Sequence, residues 1–401
     1  MHRRPKPTVL ILGGGGEMGR AASRYLAQSE RFSRVIVAGI DHVPVRDFTA
    51  TLGDAVSFRP VDIRDAVALS CLVETTDIVL NMAGPFYRLG SHVADAVIAA
   101  GKPCIDICDD IAPTLALLDR DAEARAAGSC LLAGMGLSPG VSNLLAVMAV
   151  QGLDKVEALD TVWDLAATVT VDDGYGVGSD GSVPGALVHW MHVCSGKFDS
   201  LESGRWVATR PVEPTKLSLT DGDVLPAWSV AHPETLTLPR RFPGLVRSRN
   251  FMAGGEQVMR LLQTYRDAID SGRLSVEEAA ADLVAKGIGR LISLDREETL
   301  RGQHRDAGKA YVYAIAEGRK GGIPTRSVAR QFSLPKGGMA TGTGLPAAIA
   351  AEMWADGLLP GAGVFTPEIA IDPTEFFSRF SALCERTGSD PVTRHDIELL
   401  Q

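Results

Sequence analysis

Clustered cysteines, long apolar runs and basic stripes are all missing from this sequence, and each absence excludes a class of protein. The six cysteines are scattered through 401 residues without the spacing of a disulfide framework or a zinc site, which indicates buried, reduced thiols. No apolar stretch approaches the roughly 18 residues that a membrane span requires, and the N-terminus has no signal-peptide pattern. We therefore expect a cytoplasmic protein without a membrane partner.

An excess of positive charge is missing as well. The chain carries 40 Lys and Arg against 49 Asp and Glu, for a net charge of −9, whereas nucleic-acid binders need clustered cations to displace counterions from phosphates. We expect no nucleic-acid partner. A small anionic substrate is compatible with this charge, because one or two arginines can hold a carboxylate inside an acidic protein.

The first third of the sequence does contain a regular alternation of short apolar runs with helical patterns. The runs predicted as buried strands are residues 8–12, 34–38, 77–82, 103–107 and 130–133. Such alternation is typical of a parallel sheet with helices on both faces. We predict an α/β fold whose first domain, residues 1–136, has this doubly covered parallel sheet.

The pattern changes after about Val141, where strands and helices no longer alternate cleanly. A long strand or strand pair is predicted at 157–171, followed by polar strands with proline up to about Leu238 and a hairpin between 310 and 334. Helices are predicted near 186–195, 255–271, 276–285 and 340–355, with a polar tail of uncertain order after them. This half is predicted to be an α+β domain for substrate binding and oligomerisation.

The first predicted strand runs directly into a glycine-rich turn that opens a helix. The turn residues are Gly13, Gly14, Gly15, Gly16, Glu17, Met18 and Gly19. They satisfy both G-x-G-x-x-G and G-x-x-G-x-x-G, and in either register a bare backbone lets a pyrophosphate approach a helix N-terminus. Because the turn follows a strand and begins a βαβ unit, it predicts a Rossmann-type dinucleotide site rather than a merely flexible turn.

Asp41 closes the second predicted strand, about 20 residues beyond the loop, where a carboxylate binds the adenosine ribose hydroxyls and repels a 2′-phosphate. We therefore expect NAD as the favoured cofactor. NADP is the alternative, because His42 and Arg46 follow directly and can hold a 2′-phosphate, and Asp41 can instead cap the next turn. Asp62 and Ile63 are further cofactor-binding candidates.

A second cofactor wall is predicted where the strand around residue 80 ends. Ala83, Gly84 and Pro85 follow this strand, and the carboxyl end of a parallel strand faces the ligand crevice. Gly84 would let the backbone approach the cofactor, and Pro85 would stiffen the turn.

The same turn resembles that of a known family, the saccharopine dehydrogenase-like proteins, which carry N-x-x-G-P-[FY] where this chain has residues 81–86. Further similar segments are 105–107 with the acidic pair behind it, the G-x-x-P-G-x-x-[ND]-like stretch at 134–145, 232–234, the predicted hairpin, Thr341-Gly342 and 363–368. The resemblance covers most of the chain. One departure is an extra glycine relative to the common G-A-G-G-V-G loop, which leaves the phosphate register and the choice of cofactor open.

The resemblance implies a Rossmann domain joined to a domain with a largely antiparallel sheet at residues 137–339. It also implies a late helix within 340–401 that returns to the first domain. The implied chemistry is reversible oxidation of an amine to an imine, often on amino-acid substrates, and the implied assembly is a homodimer through the second domain.

Tyr87, Asp109 and Asp110 are the candidate catalytic residues, because hydride transfer needs a group that manages the proton on the substrate nitrogen or oxygen. Asp110 matches the family's acidic position better than Asp109 does. The structural alternatives are that Tyr87 packs under a turn and that one of the acids caps the following helix.

Ser138, His232 and Arg240 are the candidate substrate-binding residues. Arg240, with its neighbour Arg241, can clamp a carboxylate, although a solvated loop is the simpler interpretation. His232 begins a Pro-flanked turn together with Glu234, and a surface position is the simpler interpretation there too.

Two further features have weaker interpretations. His189 and His192 lie three residues apart on a predicted helix, but no third ligand is evident, so we expect no metal. The glycine-rich stretch at 174–185 resembles a lid, because it is glycine-rich and lies at the predicted domain junction.

Our leading hypothesis is an NAD(P)-dependent oxidoreductase acting on an amine or imine of an amino-acid-derived, small-molecule substrate. One alternative is a reductase of an imine or carbonyl in specialised-metabolite biosynthesis. Another is a redox sensor or scaffold that binds the dinucleotide without turnover. No H-E-x-x-H motif is present, which excludes the common zinc-dependent hydrolases.

Overall fold

The structure is a computed structural model that describes residues 5–40, 43–165, 183, 185–301, 310–390 and 392–400. The chain divides into two compact units. The first unit comprises Met1–Val141 and Met339–Phe380, and the second comprises Ser142–Gly338 and Ser381–Gln401.

Sixteen strands lie within the described residues. In chain order they are β1 (Thr8–Leu12), β2 (Arg34–Gly39), β3 (Val56–Pro60), β4 (Ile78–Asn81), β5 (Cys104–Asp106), β6 (Cys130–Leu132), β7 (Lys155–Asp164), β8 (Phe198–Glu202), β9 (Arg205–Thr209), β10 (Pro214–Ser218), β11 (Val224–Ser229), β12 (Arg247–Ala253), β13 (Val312–Lys320), β14 (Ile323–Gln331), β15 (Gly363–Phe365) and β16 (Thr393–Leu399).

Fifteen α-helices lie within the same part of the chain. They are α1 (Glu17–Ala27), α2 (Val43–Ala50), α3 (Ala66–Glu74), α4 (Phe86–Ala99), α5 (Ile111–Leu118), α6 (Asp121–Ala127), α7 (Val141–Gln151), α8 (Gly185–Val193), α9 (Glu234–Arg241), α10 (Glu256–Asp270), α11 (Val276–Ala285), α12 (Ile288–Arg301), α13 (Gly338–Ala355), α14 (Pro367–Ala370) and α15 (Pro373–Arg386). None of these helices is long and apolar enough to cross a membrane.

The first unit is built on a seven-stranded sheet in the order β15-β6-β5-β4-β1-β2-β3, and every neighbouring pair is parallel. Residues 9–12 of the central strand β1 are fully buried, because helices cover both faces of such a sheet. The strand order reverses beside β1, so the crevice at its carboxyl end is where such folds bind ligands. The predicted Rossmann-type α/β fold is confirmed.

Helix α13 packs within the first unit, against α1. Glu352 accepts hydrogen bonds from the Tyr25 hydroxyl at 2.8 Å and from the Ser29 hydroxyl at 2.5 Å. Arg31 lies 3.6 Å from the same carboxylate. Closer to the N-terminus of α1, a Cβ atom on Gly344 would overlap the carbonyl oxygen of Met18, so the two helices meet nearly backbone to backbone.

The second unit contains a nine-stranded sheet whose main path is β10-β11-β12-β7-β13-β14-β16, with the β8–β9 hairpin attached to β12. All pairs are antiparallel except β12 with β7. The predicted hairpin is the pair β13–β14, which turns at Gly321 and Gly322. Both glycines have positive φ, as a two-residue hairpin turn requires.

One expectation for the second half is wrong, and the order of the polar tail, which the sequence left open, is now defined. Residues 234–241 form a helix rather than a polar strand, because Pro233 has φ −60° and ψ −26°, which already favours the helical conformation that follows. The polar tail is ordered over 393–399 as β16, which pairs with β14 along its whole length. That pairing is made by backbone groups at a sheet edge, so polar composition does not reveal it.

The cysteines are free, and five of the six are buried, as expected from their apolar surroundings; Cys71 is exposed. Burial raises the pKa of the Cys104 and Cys108 thiols well above the ordinary value. These thiols therefore stay protonated and unreactive at neutral pH.

Candidate functional site

The dinucleotide loop begins with a glycine that no other residue can replace without strain. Gly13 has φ +71°, and a Cβ atom there would lie 2.6 Å from the carbonyl oxygen of Met82. The loop after β1 is thus in direct backbone contact with the turn after β4. Close approach of these two carboxyl-terminal turns forms the floor of the crevice.

Gly19 closes the loop from the helix side. A Cβ atom on Gly19 would lie 2.5 Å from the Cα of Gly14 and would overlap the carbonyl oxygen of Gly13. Gly14 is itself restricted, because its Cβ would lie 2.7 Å from Val37 Cγ1. Gly13 therefore makes the tight turn, and Gly19 lets the helix pack closely against the loop. These two roles fit the G-x-x-G-x-x-G register, one of the two registers that the sequence left open.

Gly16 has a different environment from the other loop glycines. It is the exposed N-cap of α1 with φ −75° and ψ 172°, and a Cβ there would meet only the Gly13 oxygen, at 3.4 Å. As a glycine, Gly16 makes no side-chain capping hydrogen bond to α1. No Gly16 side chain therefore stands between a pyrophosphate and the first N–H groups of α1. The positive end of the helix dipole lies at the same place, as pyrophosphate binding requires.

The other loop residues take supporting positions. The carbonyl oxygen of Gly15 accepts a 2.7 Å hydrogen bond from Arg20 Nε, and a Cβ at Gly15 would overlap the Val45 side chain. Glu17 is exposed in the first turn of α1, and Met18 lies under Gly344 of α13. The bare loop therefore fits a dinucleotide.

Two arginines flank Phe48 next to the dinucleotide loop. The guanidinium carbons of Arg20 and Arg24 lie 4.5 and 4.9 Å from the ring centroid of Phe48. Arg20 also donates to the carbonyl oxygen of Pro44 at 3.2 Å. The Arg20 side chain therefore contacts both the loop and the start of α2, the helix that follows β2. Asp41 and His42 lie outside the described residues.

Asp62 and Ile63 follow β3 and differ in exposure. Ile63 is buried among the apolar residues of the first unit. Asp62 pairs with Arg64 at 2.7 Å, and this hydrogen-bonded guanidinium lowers the pKa of Asp62. Its carboxylate is therefore ionised at neutral pH.

The turn after β4 is organised by Asn81. Its buried side-chain oxygen accepts a 3.2 Å hydrogen bond from the N–H of Ala83. The Gly84–Pro85 peptide bond is cis, and Pro85 is the N-cap of α4.

Tyr87 is 38% exposed in the first turn of α4, and the guanidinium of Arg88 lies over its ring. Tyr87 is therefore a surface residue of this turn rather than a buried packing residue.

Asp106, at the end of β5, is a residue whose role the sequence analysis missed. It is buried, and its Oδ1 accepts hydrogen bonds from the N–H groups of Cys108 at 3.0 Å and Gly134 at 2.8 Å. Burial raises the pKa of Asp106 to about 6, against the effect of these two N–H groups. Asp106 thus ties the turn after β5 to the turn after β6.

Asp109 and Asp110 lie on the same turn, immediately before α5. Asp110 is only 3% exposed, whereas Asp109 is half-buried. Asp110 occupies the N-cap position, but its side chain makes no capping hydrogen bond to α5. Helix capping therefore does not explain this buried carboxyl group.

The turn after β6 contains Ser138, which is half-buried and precedes a cis peptide bond to Pro139. The turn is held by backbone contacts: Gly136 N–H donates to the Pro139 oxygen at 2.9 Å, and Gly134 and Gly140 both have positive φ. A Cβ on Gly134 would lie 3.2 Å from the Cys108 oxygen. Ser138 therefore belongs to the same edge of the sheet as Asp106.

His232 and its neighbour Glu234 differ from expectation. His232 is 4% exposed and Glu234 is fully buried, so the surface-turn interpretation is wrong. The physical reason is aromatic packing: His232 stacks on Trp163 of β7 with centroids 5.9 Å apart and an interplanar angle of 10°. Arg240 is exposed near the end of α9, as the solvated interpretation expects.

Of the two histidines of α8, His189 is half-buried and His192 is exposed. The ring of His189 lies 6.1 Å from that of His232. The lid suggested for 174–185 lies outside the described residues, apart from Val183 and Gly185.

Residues 9–132, which span β1 to β6, match the model of the family described as Saccharopine dehydrogenase NADP binding domain. Apo histidine-tagged saccharopine dehydrogenase (L-Glu forming) from Saccharomyces cerevisiae has the same fold. It aligns over 97% of this chain and 100% of that chain with a TM-score of 0.65 and 14% identity, which is a likeness of fold alone.

A second similarity is to the "Trans-acting enoyl reductase" of Mycobacterium leprae (strain TN), at 24% identity over 140 residues. The matched segment is 34% of this chain and 34% of that protein, so the chain spans about a third of the length of this relative. The matched domain supports a nicotinamide dinucleotide as the cofactor, and the predicted resemblance to the saccharopine dehydrogenase-like family is confirmed over residues 9–132.

Proposed function

We propose that this protein is an NAD(P)-dependent oxidoreductase that interconverts an amine and an imine on an amino-acid-derived substrate. The observation that carries the proposal is the pairing of a bare dinucleotide loop with a buried carboxyl group, Asp110, at the carboxyl edge of one parallel sheet. Ligands bind at this edge in folds of this type.

Each part of the edge has a separate task in this proposal. The N-terminus of α1 behind Gly16 holds the pyrophosphate, and the turn at Ala83–Pro85 forms the wall on the β4 side. The bound nicotinamide would supply or accept the hydride. Asp110 would hold the substrate nitrogen and take up or release its proton. Tyr87 is the second candidate for that proton.

For the choice between cofactors we propose NADP. The name of the matched domain favours it, and Arg20 and Arg24 bring two positive charges to Phe48 of α2, the helix after β2. An arginine near the end of the second strand can hold a 2′-phosphate in this fold. The preference for NAD expected from Asp41 stays a prediction.

The direct test measures the absorbance of the reduced cofactor while the protein is incubated with each of several candidate substrates. Purified protein is mixed with NADP or NAD and lysine, diamines or opine-like amines, and in the reverse direction with the reduced cofactor and the matching imines. Turnover of amines or imines is expected. Turnover of alcohols alone would contradict the amine assignment and leave the cofactor assignment intact.

A second candidate, reduction of an enoyl group, is favoured by the relative from Mycobacterium leprae. The same assay with enoyl thioesters distinguishes it, because a carbon–carbon double bond offers no nitrogen for Asp110 to hold. A protein that binds the dinucleotide in calorimetry but turns over no amine, imine, ketone, alcohol or enoyl compound would instead be a sensor or scaffold.

A further inference from the structure

We infer that the second unit binds a carboxylate group of the substrate through the indole N–H of Trp163, flanked by the imidazoles of His189 and His232. The identification of this ligand as the substrate rests on the function proposed above. The geometry of the cluster stands without it.

The starting point is a buried donor without an acceptor. Trp163 lies near the end of β7 and is 8% exposed. Its Nε1 is buried and has no hydrogen-bond partner among the described residues. A buried indole N–H usually finds a partner, and leaving a buried donor unsatisfied costs about 1–3 kcal/mol. The arrangement therefore calls for an acceptor that the described residues do not provide.

The chemistry of the cluster restricts what this acceptor is. An indole N–H only donates, so the ligand must present an oxygen or another acceptor. His232 stacks on the Trp163 ring, and His189 is the next ring in the row. An imidazole can carry a positive charge near neutral pH and then donates from both nitrogens. A carboxylate accepts from an indole N–H and forms charge-assisted bonds with a protonated imidazole, which a neutral amide does not.

A buried acid of the second unit lies beside His232. Glu234 Oε2 lies 4.0 Å from His232 Nδ1, and Glu234 Oε1 accepts a 2.7 Å hydrogen bond from the Ser142 hydroxyl at the start of α7. Glu234 is fully buried, so this acid faces the imidazole and the hydroxyl rather than solvent. We assign Ser142 and Glu234 as positioning residues for His232.

The test observes the indole N–H groups directly by NMR. The full chain is labelled with ¹⁵N at its five tryptophans, saturated with NADPH and titrated with glutarate, and in parallel with the neutral isostere glutaramide. We expect one indole proton to move downfield saturably with glutarate only. That resonance should be missing from Trp163→Phe, which keeps an aromatic ring for His232 to stack on.

Trp228→Phe is the matched control, because Trp228 is buried to a similar degree in the same apolar cluster. It should retain both the shifting resonance and the glutarate affinity. His189→Gln and His232→Gln should each weaken glutarate binding about tenfold, which is the loss of one charge-assisted hydrogen bond.

Two results would overturn the inference: the absence of any saturable shift with glutarate, or an equal shift with glutaramide. The proposed function is judged separately. Amine turnover without the glutarate response would reject only this carboxylate site, whereas the glutarate response without turnover on any amine or imine would reject only the proposed function.

Discussion

Gly19 of α1 lies so close to the carbonyl oxygen of Gly13 that a single added carbon would overlap it. The loop between these two glycines is therefore fixed by the packing of helix on strand. Gly16, between them, has room for a side chain on the protein side. A substitution at Gly19 should therefore affect folding, whereas a substitution at Gly16 should affect cofactor binding.

Gly16→Val should leave the fold intact and abolish most of the dinucleotide affinity. The backbone at Gly16 has negative φ, so valine is tolerated, but its methyl groups would occupy the space in front of the helix N-terminus. We expect binding to weaken about 10- to 100-fold, through the loss of one or two hydrogen bonds to phosphate. Calorimetric titration measures it. Gly90→Ala is the control, because no described atom lies within 4 Å of a Cβ there. Unchanged affinity in a folded Gly16→Val protein would contradict the pyrophosphate assignment.

Gly19→Ala should instead destabilise the first unit. The added carbon forces α1 away from Gly13 and Gly14, and overpacking of this kind costs about 1–3 kcal/mol. Urea denaturation measures the lowered free energy of unfolding, with wild-type protein as the reference. A variant as stable as wild type would show that the helix is not held against Gly13 in solution.

Arg24→Gln should weaken NADPH binding more than NADH binding. A cation near a 2′-phosphate contributes to one cofactor and not to the other, and we expect about a tenfold difference. Calorimetry with both cofactors, and with adenosine 2′,5′-bisphosphate against AMP, checks this. Arg34→Gln is the control, since Arg34 lies at the opposite end of β2. Equal losses for both cofactors would reject Arg24 as a 2′-phosphate ligand.

Asp110→Asn should lower amine turnover about 10²- to 10⁴-fold, the usual contribution of a positioned acid or base, while cofactor affinity stays unchanged. Asp109→Asn is the matched neighbour and should have a smaller effect, because the proposal assigns the substrate proton to Asp110, the more deeply buried of the two acids. If Asp109→Asn and not Asp110→Asn eliminates turnover, the two roles are exchanged.

Asp106 should make the stability of the protein depend on pH. Its folded-state pKa is raised to about 6 by burial, so the protonated form is favoured on folding. Its contribution to stability is fully present below the unfolded pKa of about 4 and is lost as the pH rises through about 6, a loss of about 3 kcal/mol.

Asp106→Asn tests this dependence, because the amide oxygen can accept both N–H groups that Oδ1 now accepts. The variant should be more stable than wild type at pH 7.5 and nearly equal to it at pH 4, as measured by urea denaturation. Asp62→Asn, at an exposed ion pair, is the control. Equal stability of Asp106→Asn and wild type at both values would contradict the raised pKa.

Much of the first unit could be predicted from the sequence because its information is local. The apolar run of β1, the glycines after it and the turn at Gly84 each have a recognisable pattern within a few residues. The role of Asp106 was not predictable in this way, because its partner Gly134 lies 28 residues further along the chain.

The second unit was predicted less well because its contacts, like that of Asp106, join residues that are distant in the sequence. The burial of His232 depends on Trp163, a residue of the distant strand β7, and the order of β16 depends on backbone pairing with β14. Neither relationship produces a periodic pattern in the sequence. A polar stretch that joins a sheet edge has the composition of an unstructured tail.

The strand β15 has a practical consequence for dissecting the molecule. It pairs with β6 from a segment more than 200 residues away, so a recombinant fragment ending near residue 141 would leave the backbone of β6 bare. Open edges of that kind recruit other chains and aggregate. Anyone who wishes to study the nucleotide-binding half in isolation will need to splice residues 1–141 to 339–380 through a linker.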